Sequence, residues 1–476
     1  MAGTASGLLD LVEVAARIRA RDVSPVALVE SARRGIEAWN PTLNAYITVL
    51  GQDAQAAAEQ AEREIASGVY RGPLHGVPLS VKDLYWTRGI RTTAGSRVLN
   101  QFVPSDDATV VRRLRESGAV LIAKANTLEF AYASVHPDYG PAKNPWDLTR
   151  SASGSSSGSA VAVAAGLDFG SFGTDTGGSI RLPASFCGVA GFKPTYGLVS
   201  RFGVVPLAET LDHAGPLARS VRDVAVLLQA VAGYDPLDPT TARSEVPAYP
   251  DLLGDDLRGV TAALVVNLLE GEVAPEVRAA VLEAARVVAD AGATVREMAI
   301  PELDGDVMTA RTQITQAEAS HFHRQWIDAH WADYTPLVQA RLKAGLELPA
   351  VTYIEALEVR RRTRHRIREI QQTLDLLLLP TAPTVATPLE GTVPAQDVAR
   401  KEGEIKGLGR RTSPFSLTGQ PALSVPCGFS GGLPMGLQIV GRDFEDALVL
   451  RAGHAFQART DWHRRRPPTS VSYVED

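Results

Sequence analysis

The stretch from Gly173 to Ala184, G-T-D-T-G-G-S-I-R-L-P-A, places two consecutive glycines directly before Ser179 and an arginine two residues after it. Glycine adds no side-chain contacts and leaves the unfolded chain more freedom. Paired glycines are therefore useful mainly where the backbone takes unusual dihedral angles or approaches another group closely. A serine nucleophile beside exposed N–H groups is one such place, so the segment directs the search for a reactive centre to Ser179.

The composition is that of an ordinary globular protein. The chain has 476 residues, 45% hydrophobic residues, two cysteines and a formal net charge of -6, which excludes the disordered and fibrous classes. Mild acidity disfavours nucleic-acid binding, and the basic run 360–368 is interpreted as a solvated helix face. Cys187 and Cys427 are too few and too far apart for a disulfide framework or a metal cluster, so buried thiols in a reducing compartment are expected.

The N-terminal stretch and the hydropathy predict a cytoplasmic protein that does not enter a membrane. Residues 1–17 lack a positively charged n-region and carry Asp10 and Glu13 within their apolar pattern. They therefore predict an amphipathic helix rather than a signal peptide. No uncharged apolar run reaches the length of a membrane span.

Alternating helix and strand patterns predict an α/β fold. Residues 106–118 have helical spacing and end in glycine, and the apolar residues 119–124 follow as a strand. The pattern recurs as a strand over 259–266, a helix over 276–291 and a strand over 293–300. Such alternation favours a sheet with helices on both faces.

The chain shows no internal repeat and no proline-rich linker, so a single domain over residues 1–476 is expected. The polar, arginine-rich and helical stretch at about 305–370 is interpreted as a variable insertion, because buried-strand patterns resume after it at 374–380 and 421–426. The glycine- and serine-rich tract at 151–159 is the remaining candidate for a hinge.

The tract S-A-S-G-S-S-S-G-S at 151–159 has three interpretations. Its composition suits a flexible linker. It also runs into the small-residue helix predicted at 160–166, whose first turn its hydroxyls could cap. Finally, G-S-S-S-G at 154–158 matches the nucleophile elbow G-x-S-x-G with Ser156 as nucleophile. The polar, proline-interrupted segment before the tract lacks the strand that an elbow follows, and no histidine has the context of a general base.

A serine nucleophile without histidine needs another base, and lysine can serve when burial makes it neutral near pH 7. Lys82 is the candidate, because it ends the short apolar strand in H-G-V-P-L-S-V-K-D at 75–83. The alternative is a structural lysine that reaches solvent or pairs with Asp83.

These motifs together resemble the amidase signature family of serine amidohydrolases. The resemblance rests on G-V-P-L-S-V-K-D at 76–83, on the serine-rich tract, and on G-T-D-T-G-G-S-I-R-L-P-A-S-F-C-G-V-A-G-F-K-P-T at 173–195. Further segments extend it towards both ends, and it is weak only between about 240 and 370. It implies the family fold, an α/β architecture with a large mixed, mostly parallel central sheet flanked by helices.

The resemblance also implies a Ser-Ser-Lys triad without a metal or an organic cofactor. The matching positions are Ser179 as nucleophile, Ser155 as bridging serine on a cis peptide, and Lys82 as base. The chain departs from the family where members often have Pro-Gly-Gly before the serine pair, since Ala152 and Ser153 stand there. Of the features that the resemblance implies, the cis peptide before Ser155 is therefore the one that a structure has to test.

The remaining site residues follow from the loop around the nucleophile. We predict that the backbone N–H groups of Thr176, Gly177, Gly178 and Ser179 form an oxyanion hole, which the glycines permit. Supporting roles are predicted for Ser156 in the serine tract and, through charge-assisted hydrogen bonds within the loop, for Asp175 and Arg181. The aromatic residues predicted to line the substrate pocket are Tyr85, Trp86, Phe130 and Tyr132.

The expected function is hydrolysis of C–N bonds in small amides, with aryl or alkyl amides as examples and with carbamates, urethanes and esters as related substrates. The alternative is the glutamine-hydrolysing A-type subunit of a tRNA-dependent amidotransferase complex, which shares the signature. The expected partner is a small-molecule amide, with no nucleic acid and no membrane, and a homodimer is compatible with the sequence.

Overall fold

A computed structural model describes residues 9–471. Within them, eleven strands form one continuous sheet. Their bounds are β1 Tyr46–Val49, β2 Pro78–Lys82, β3 Val120–Ala125, β4 Ser171–Asp175, β5 Ala190–Lys193, β6 His213–Ala218, β7 Thr261–Val265, β8 Thr294–Met298, β9 Leu376–Pro380, β10 Ala422–Ser430 and β11 Leu433–Val440. The strand order across the sheet is β1-β3-β2-β4-β6-β5-β10-β11-β9-β7-β8.

Fourteen α-helices accompany the sheet in the described residues, besides short 3₁₀ turns. They are α1 Leu11–Ala20, α2 Pro25–Leu43, α3 Gly51–Ala66, α4 Thr109–Glu116, α5 Ser157–Ala165, α6 Arg181–Cys187, α7 Val221–Val231, α8 Pro275–Asp290, α9 Asp306–His330, α10 Pro336–Leu346, α11 Ala350–Ile370, α12 Val398–Gly409, α13 Ser413–Thr418 and α14 Asp446–Gln457. The two helix and strand units predicted from the sequence, α4 with β3 and β7 with α8 and β8, are confirmed.

Helices cover both faces of the sheet, as expected. One apolar core joins α1, α4, α7, α8 and α14 to one face, and a second joins α2, α3, α5 and α6 to the other. The two faces alternate along the strands, since Leu121 of β3 belongs to the first core and its neighbours Val120 and Ile122 to the second. A sheet buried on both faces has near-continuous apolar strands, which is why the sequence pattern located β3, β7 and β9.

The sheet is large and mixed, but the prediction that it is mostly parallel was wrong. Of the ten pairs of neighbouring strands, four are parallel and six antiparallel. The β10–β11 hairpin and the segment around β5 and β6 supply antiparallel pairs in the middle of the sheet. Local sequence patterns do not report strand direction, because parallel and antiparallel buried strands are equally apolar.

The arginine-rich stretch predicted as an insertion forms three consecutive helices, α9 to α11, between β8 and β9. The basic run 360–368 lies on α11, where Arg364 and Arg368 both pair with Asp443. Part of this run therefore docks the helix onto the core, while other members of it face solvent.

The predicted amphipathic N-terminal helix is α1, which buries Leu11, Val14 and Ile18. Residues 1–8 of the stretch that predicted it lie outside the described residues. Between residues 9 and 471, no helix is both long and apolar enough to cross a bilayer. Both cysteines are buried and unpaired, as predicted.

Candidate active site

The adjacent strands β2 and β4 bring the two halves of the site together. They are parallel, with Ser80 opposite Ser171 and Val81 opposite Phe172, so their carboxyl ends lie at the same edge of the sheet. Lys82 ends β2, and Thr174 and Asp175 end β4. Lys82 and Thr174, which are 92 residues apart in the chain, thereby become neighbours.

Lys82 is fully buried and does not pair with its neighbour in sequence. Its Nζ donates hydrogen bonds of 2.7 Å to Ser155 Oγ and of 2.7 Å to Thr174 Oγ1. Asp83 instead forms an ion pair with Lys124, at 3.2 Å. The structural alternative for Lys82, a salt bridge to Asp83 or a chain that reaches solvent, is therefore excluded.

Burial lowers the pKa of Lys82 from 10.5 to about 7, although the carboxylates of Asp212 and Asp175 oppose the shift. Desolvation disfavours the charged form of an ammonium, and no carboxylate of residues 9–471 forms an ion pair with Nζ to restore it. A lysine with this pKa is partly neutral at pH 7, and its free lone pair can then accept a proton.

The serine-rich tract is folded into the core rather than forming a hinge. The Gly154–Ser155 peptide bond is cis, and Ser155 is buried, with its carbonyl accepting the Leu128 N–H at 3.3 Å. Gly154 packs closely, since a Cβ on it would come within 2.3 Å of Leu128 Cδ1 and the leucine would have to shift. The tract leads into α5, whose nine residues are all buried.

Ser156 fastens the start of α5 to β4. Its hydroxyl donates to the Thr174 carbonyl at 3.1 Å and accepts the Thr174 N–H at 3.2 Å. A hydroxyl held on both sides by the backbone suits the supporting role predicted for Ser156. It does not suit the nucleophile of an elbow, whose oxygen has to be exposed to substrate.

A buried ion pair shapes the loop that carries Ser179. The Asp175 carboxylate accepts the N–H groups of Gly178 at 2.8 Å and Ile180 at 3.2 Å, and it binds Arg181 through Nε at 2.9 Å and Nη2 at 2.8 Å. Burial opposes ionisation of Asp175, but Arg181 outweighs it and holds the pKa of that carboxyl well below its usual range. The two residues lock the turn by charge-assisted hydrogen bonds.

The predicted oxyanion donors divide into two kinds. The N–H groups of Thr176, Gly177 and Ser179 have no hydrogen-bond partner among residues 9–471. The structure departs from the prediction at Gly178, because its N–H is committed to Asp175. Gly178 instead supplies conformation, with φ of 128° and no room for a Cβ, which would lie 2.3 Å from Thr412 Oγ1.

A cavity of about 540 Å³ opens onto this loop, a size typical of small-molecule sites. Ser155, Gly177 and Ser179 line it together with residues of α9 and α12. Ser179 is half-buried in a loop whose other residues are buried. Its hydroxyl forms no hydrogen bond with any described residue. Of the expected relay, the hydrogen bond between Lys82 and Ser155 is therefore present in the structure, and the Ser179 hydroxyl is available to a substrate.

Of the four aromatic residues placed in the pocket from the sequence, one lines the cavity, Tyr132. The prediction was wrong for the other three. The Tyr85 hydroxyl donates to the Gly173 carbonyl within the core, at 2.7 Å. Trp86 packs against two phenylalanine rings, and Phe130 against aromatic rings from α9 and the loop after it. Proximity in sequence to a pocket segment does not fix side-chain direction.

Two residues at the site were missed by the sequence analysis. Thr174, whose hydroxyl accepts from Lys82, could have been found from its place beside the end of β2 once the strand pairing is known. Arg311 on α9 lines the cavity and contacts Gly177. No local signal marked it, because it lies in the segment where family resemblance is weakest.

The chain is similar to known proteins over nearly its whole length. The Amidase family model matches residues 27–450. A putative amidase, AmiD, of Mycobacterium tuberculosis is 41% identical over 470 residues, covering 97% of this chain and 96% of its own. The A-type subunit of the glutamyl-tRNA(Gln) amidotransferase of Moorella thermoacetica is 39% identical over 462 residues, covering 92% and 93%.

Solved structures show the same similarity. A peptide amidase in complex with the inhibitor chymostatin has a TM-score of 0.85 and 33% identity, with 96% of this chain and 98% of that chain covered. A 6-aminohexanoate cyclic dimer hydrolase complexed with substrate has a TM-score of 0.86 and 29% identity, with 97% and 99% covered. The chain therefore belongs to the amidase signature family of hydrolases, which act on amide carbon–nitrogen bonds.

Proposed function

We propose that this amidase hydrolyses small amides through an acyl-enzyme on Ser179, with Ser155 and Lys82 as the proton relay and with carbamates, urethanes and esters as related substrates. The observation that carries the proposal is the fully buried Lys82 Nζ, 2.7 Å from Ser155 Oγ and with a pKa of about 7. A general base works best with a pKa near the operating pH, and this lysine has one.

In the proposed first half-reaction, neutral Lys82 takes the proton of Ser155 while Ser155 takes that of Ser179. The Ser179 oxygen forms a bond to the carbonyl carbon, and the carbonyl π pair moves to oxygen. When the tetrahedral intermediate collapses, the C–N bond breaks and its electron pair stays on nitrogen. The amine receives a proton back through Ser155, and water then repeats the sequence to release the acid.

The negative charge of the intermediate needs donors that are fixed before the reaction. The N–H groups of Thr176, Gly177 and Ser179 are suitable, because they have no other partner among the described residues and the Asp175–Arg181 pair holds their loop. Loss of one such donor typically lowers the rate by about 10²- to 10³-fold. Gly178 contributes backbone shape rather than a donor.

The test is hydrolysis of matched nitroanilide, carbamate and ester substrates by the wild type and by Ser179→Ala and Lys82→Ala, with release of the chromophore followed. We expect both variants to lose activity, by several orders of magnitude for Ser179→Ala. Val351→Ala, an exposed change on α11, serves as a control that retains it. Turnover that survives in Ser179→Ala would contradict the acyl-enzyme. The order of rates among the three substrates identifies the preferred bond.

A second candidate function is the A-type subunit of a tRNA-dependent amidotransferase. It is supported by relatives of that name at 38–39% identity over more than nine-tenths of the chain. It predicts Ser179-dependent hydrolysis of glutamine and co-purification with further subunits. Ammonia release from simple amides, with none from glutamine, would reject it.

A further inference from the structure

Arg311 is a charged side chain on the cavity wall that lacks a partner in the described part of the chain. It lies on α9, and its guanidinium forms no hydrogen bond and no ion pair with the residues from 9 to 471; its Nε is shielded from solvent. Arg341, on the same cavity, shows the contrast, because Glu402 binds it through Nε at 2.6 Å and Nη2 at 2.8 Å. The cavity is therefore lined by one guanidinium that is paired with a carboxylate, that of Arg341, and by one without a hydrogen bond or ion pair among the described residues, that of Arg311.

The unpaired guanidinium lies directly against the loop of the proposed nucleophile. A Cβ on Gly177 would come within 2.3 Å of Arg311 Nη2 and 2.7 Å of its Cζ, so the absence of a side chain there makes room for the fork. Gly177 is two residues before Ser179, a separation that spans at most about 7 Å. A group bound by Arg311 consequently lies only a few bonds from the carbonyl under attack.

A second unsatisfied polar group lines the same cavity. The Tyr132 hydroxyl is buried and lacks a hydrogen-bond partner among the described residues. Arg341 holds this residue in place, since its Nη1 donates to the Tyr132 carbonyl at 2.9 Å and its guanidinium stacks on the ring at 4.9 Å. Burial raises the pKa of Tyr132, so the phenol keeps its proton and remains a donor.

Both unsatisfied groups are donors, and the nearby carboxylates are already engaged. Asp175 is bound by Arg181, and Glu402 by Arg341. An arginine stays charged in a protein, and a shielded charge is costly unless it is paired. Burial and the neighbouring Arg341 lower the pKa of Arg311, although Asp175 and Glu402 oppose the shift. The missing component is an anion.

We propose that Arg311 and the Tyr132 hydroxyl bind a carboxylate of the substrate, so that the enzyme selects amides bearing a carboxylate a few bonds from the scissile carbonyl. This inference rests on the proposed hydrolysis at Ser179. A planar guanidinium matches the two oxygens of a carboxylate, and the phenol adds a third hydrogen bond. The pairing also explains why an arginine without a protein partner is tolerated so close to the reacting atoms.

The test compares monoamides with neutral partners of nearly the same shape: malonamate with malonamide, succinamate with succinamide, and glutaramate with glutaramide. Ammonia release is measured for each. We expect wild-type kcat/KM to favour the charged member of at least one pair by about 10- to 100-fold, the range of a charge-assisted hydrogen bond. Arg311→Gln should remove the preference chiefly through KM, and Tyr132→Phe should reduce it by a few-fold.

Lys406→Gln is the matched control, because Lys406 is an exposed positive charge on the rim of the same cavity. Equal loss of preference in this variant would show general electrostatic attraction and overturn the specific site. A second check is thermal unfolding. Arg311→Gln should not lower the midpoint, since no protein partner is lost, and a clear drop would identify Arg311 as structural and contradict the proposal.

The remaining outcomes separate this inference from the proposed function. Equal Ser179-dependent hydrolysis of charged and neutral members would overturn the carboxylate site and leave the hydrolase mechanism standing. If Arg311→Gln lowered kcat equally for the charged and the neutral member of a pair, Arg311 would be a residue that stabilises the oxyanion. That result would also overturn the carboxylate site. If neither member of a pair is hydrolysed, the binding of succinamate to Ser179→Ala is measured by calorimetry instead. Binding of succinamate that Arg311→Gln abolishes supports the site, and no binding refutes it.

Discussion

Replacement of Lys82 by methionine tests the buried base through stability rather than through turnover. The folded-state pKa of Lys82 lies below that of the unfolded chain, about 7 against 10.5. Between these values the unfolded state binds a proton that the folded state lacks. Wild-type stability therefore rises with pH across this window and falls as pH drops towards 7. Methionine has no such linkage, so Lys82→Met should gain most relative to the wild type near pH 7.

The magnitude follows from the shift. At about 1.4 kcal/mol per pKa unit, the neutral lysine costs about 4 kcal/mol at pH 7 and about 1 kcal/mol at pH 10, a change of about 3 kcal/mol. The hydroxyls of Ser155 and Thr174 lose their donor in the variant, but they do not titrate in this range, so their loss adds a constant offset. For 476 residues the unfolding entropy is about 1 kcal/mol/K. The Tm of Lys82→Met minus the Tm of the wild type should therefore fall by about 3 °C between pH 7 and pH 10.

The assay is the thermal unfolding midpoint of wild type and Lys82→Met, measured at intervals from pH 7 to pH 10. Each variant is compared with wild type in the same buffer, which cancels the titration of all other groups. Lys343→Met serves as control, because it removes a lysine whose side chain is 68% exposed rather than buried. The claim that Lys82 is neutral near pH 7 would be refuted if the Tm difference between Lys82→Met and wild type stayed constant from pH 7 to pH 10 to within about 1 °C, which is well below the expected change.

Three further predictions concern the same site. Because the base must be neutral, kcat/KM should rise with pH through an apparent pKa near 7, and a profile flat from pH 6 to 8 would contradict the role of Lys82. Asp175→Asn leaves the buried Arg181 without its counter-charge and should lower the free energy of unfolding by about 3 to 5 kcal/mol, which is measured as a lower Tm. An unchanged Tm would show that the ion pair does not stabilise the loop. Gly178→Ala forces a Cβ to within 2.3 Å of Thr412 Oγ1 at a φ of 128° and should lower kcat by at least about 10²-fold, whereas wild-type kinetics would show that the loop tolerates displacement.

Local patterns located much of the secondary structure because burial and periodicity are local properties. Helix α4 and strand β3 were found within a few residues, and β7, α8 and β8 likewise. The direction of strand pairing was not found, since it depends on which segments meet in space. The serine tract illustrates the same division. Its composition suits a linker, yet Gly154 packs against Leu128 and the tract is buried.

The residues of the pocket show where sequence reasoning ends. Tyr132 lines the cavity, whereas Tyr85 and Phe130 are buried in the core and Trp86 is half-buried against it. The direction of each side chain is set by the pleat and by packing against α9, neither of which is visible in a single segment. Arg311 went unnoticed because nothing in its own surroundings on α9 distinguishes it from a surface arginine.

The sequence by itself determined the chemical inventory: a lysine at the end of a buried strand, a serine-rich tract before a small-residue helix, and a serine behind two glycines. These are local features, set by residue type and spacing. Only the tertiary structure decided how they act. The parallel pairing of β2 with β4 brings Lys82 to Thr174, and the hydrogen bonds of Ser156 to Thr174 hold the serine tract, and with it Ser155, at the same place. The desolvation that lowers the pKa of Lys82 is produced by the surrounding core. Burial and long-range contact depend on the whole fold. This is why Arg311, which lies beside Gly177 and has no partner among residues 9–471, became visible only there.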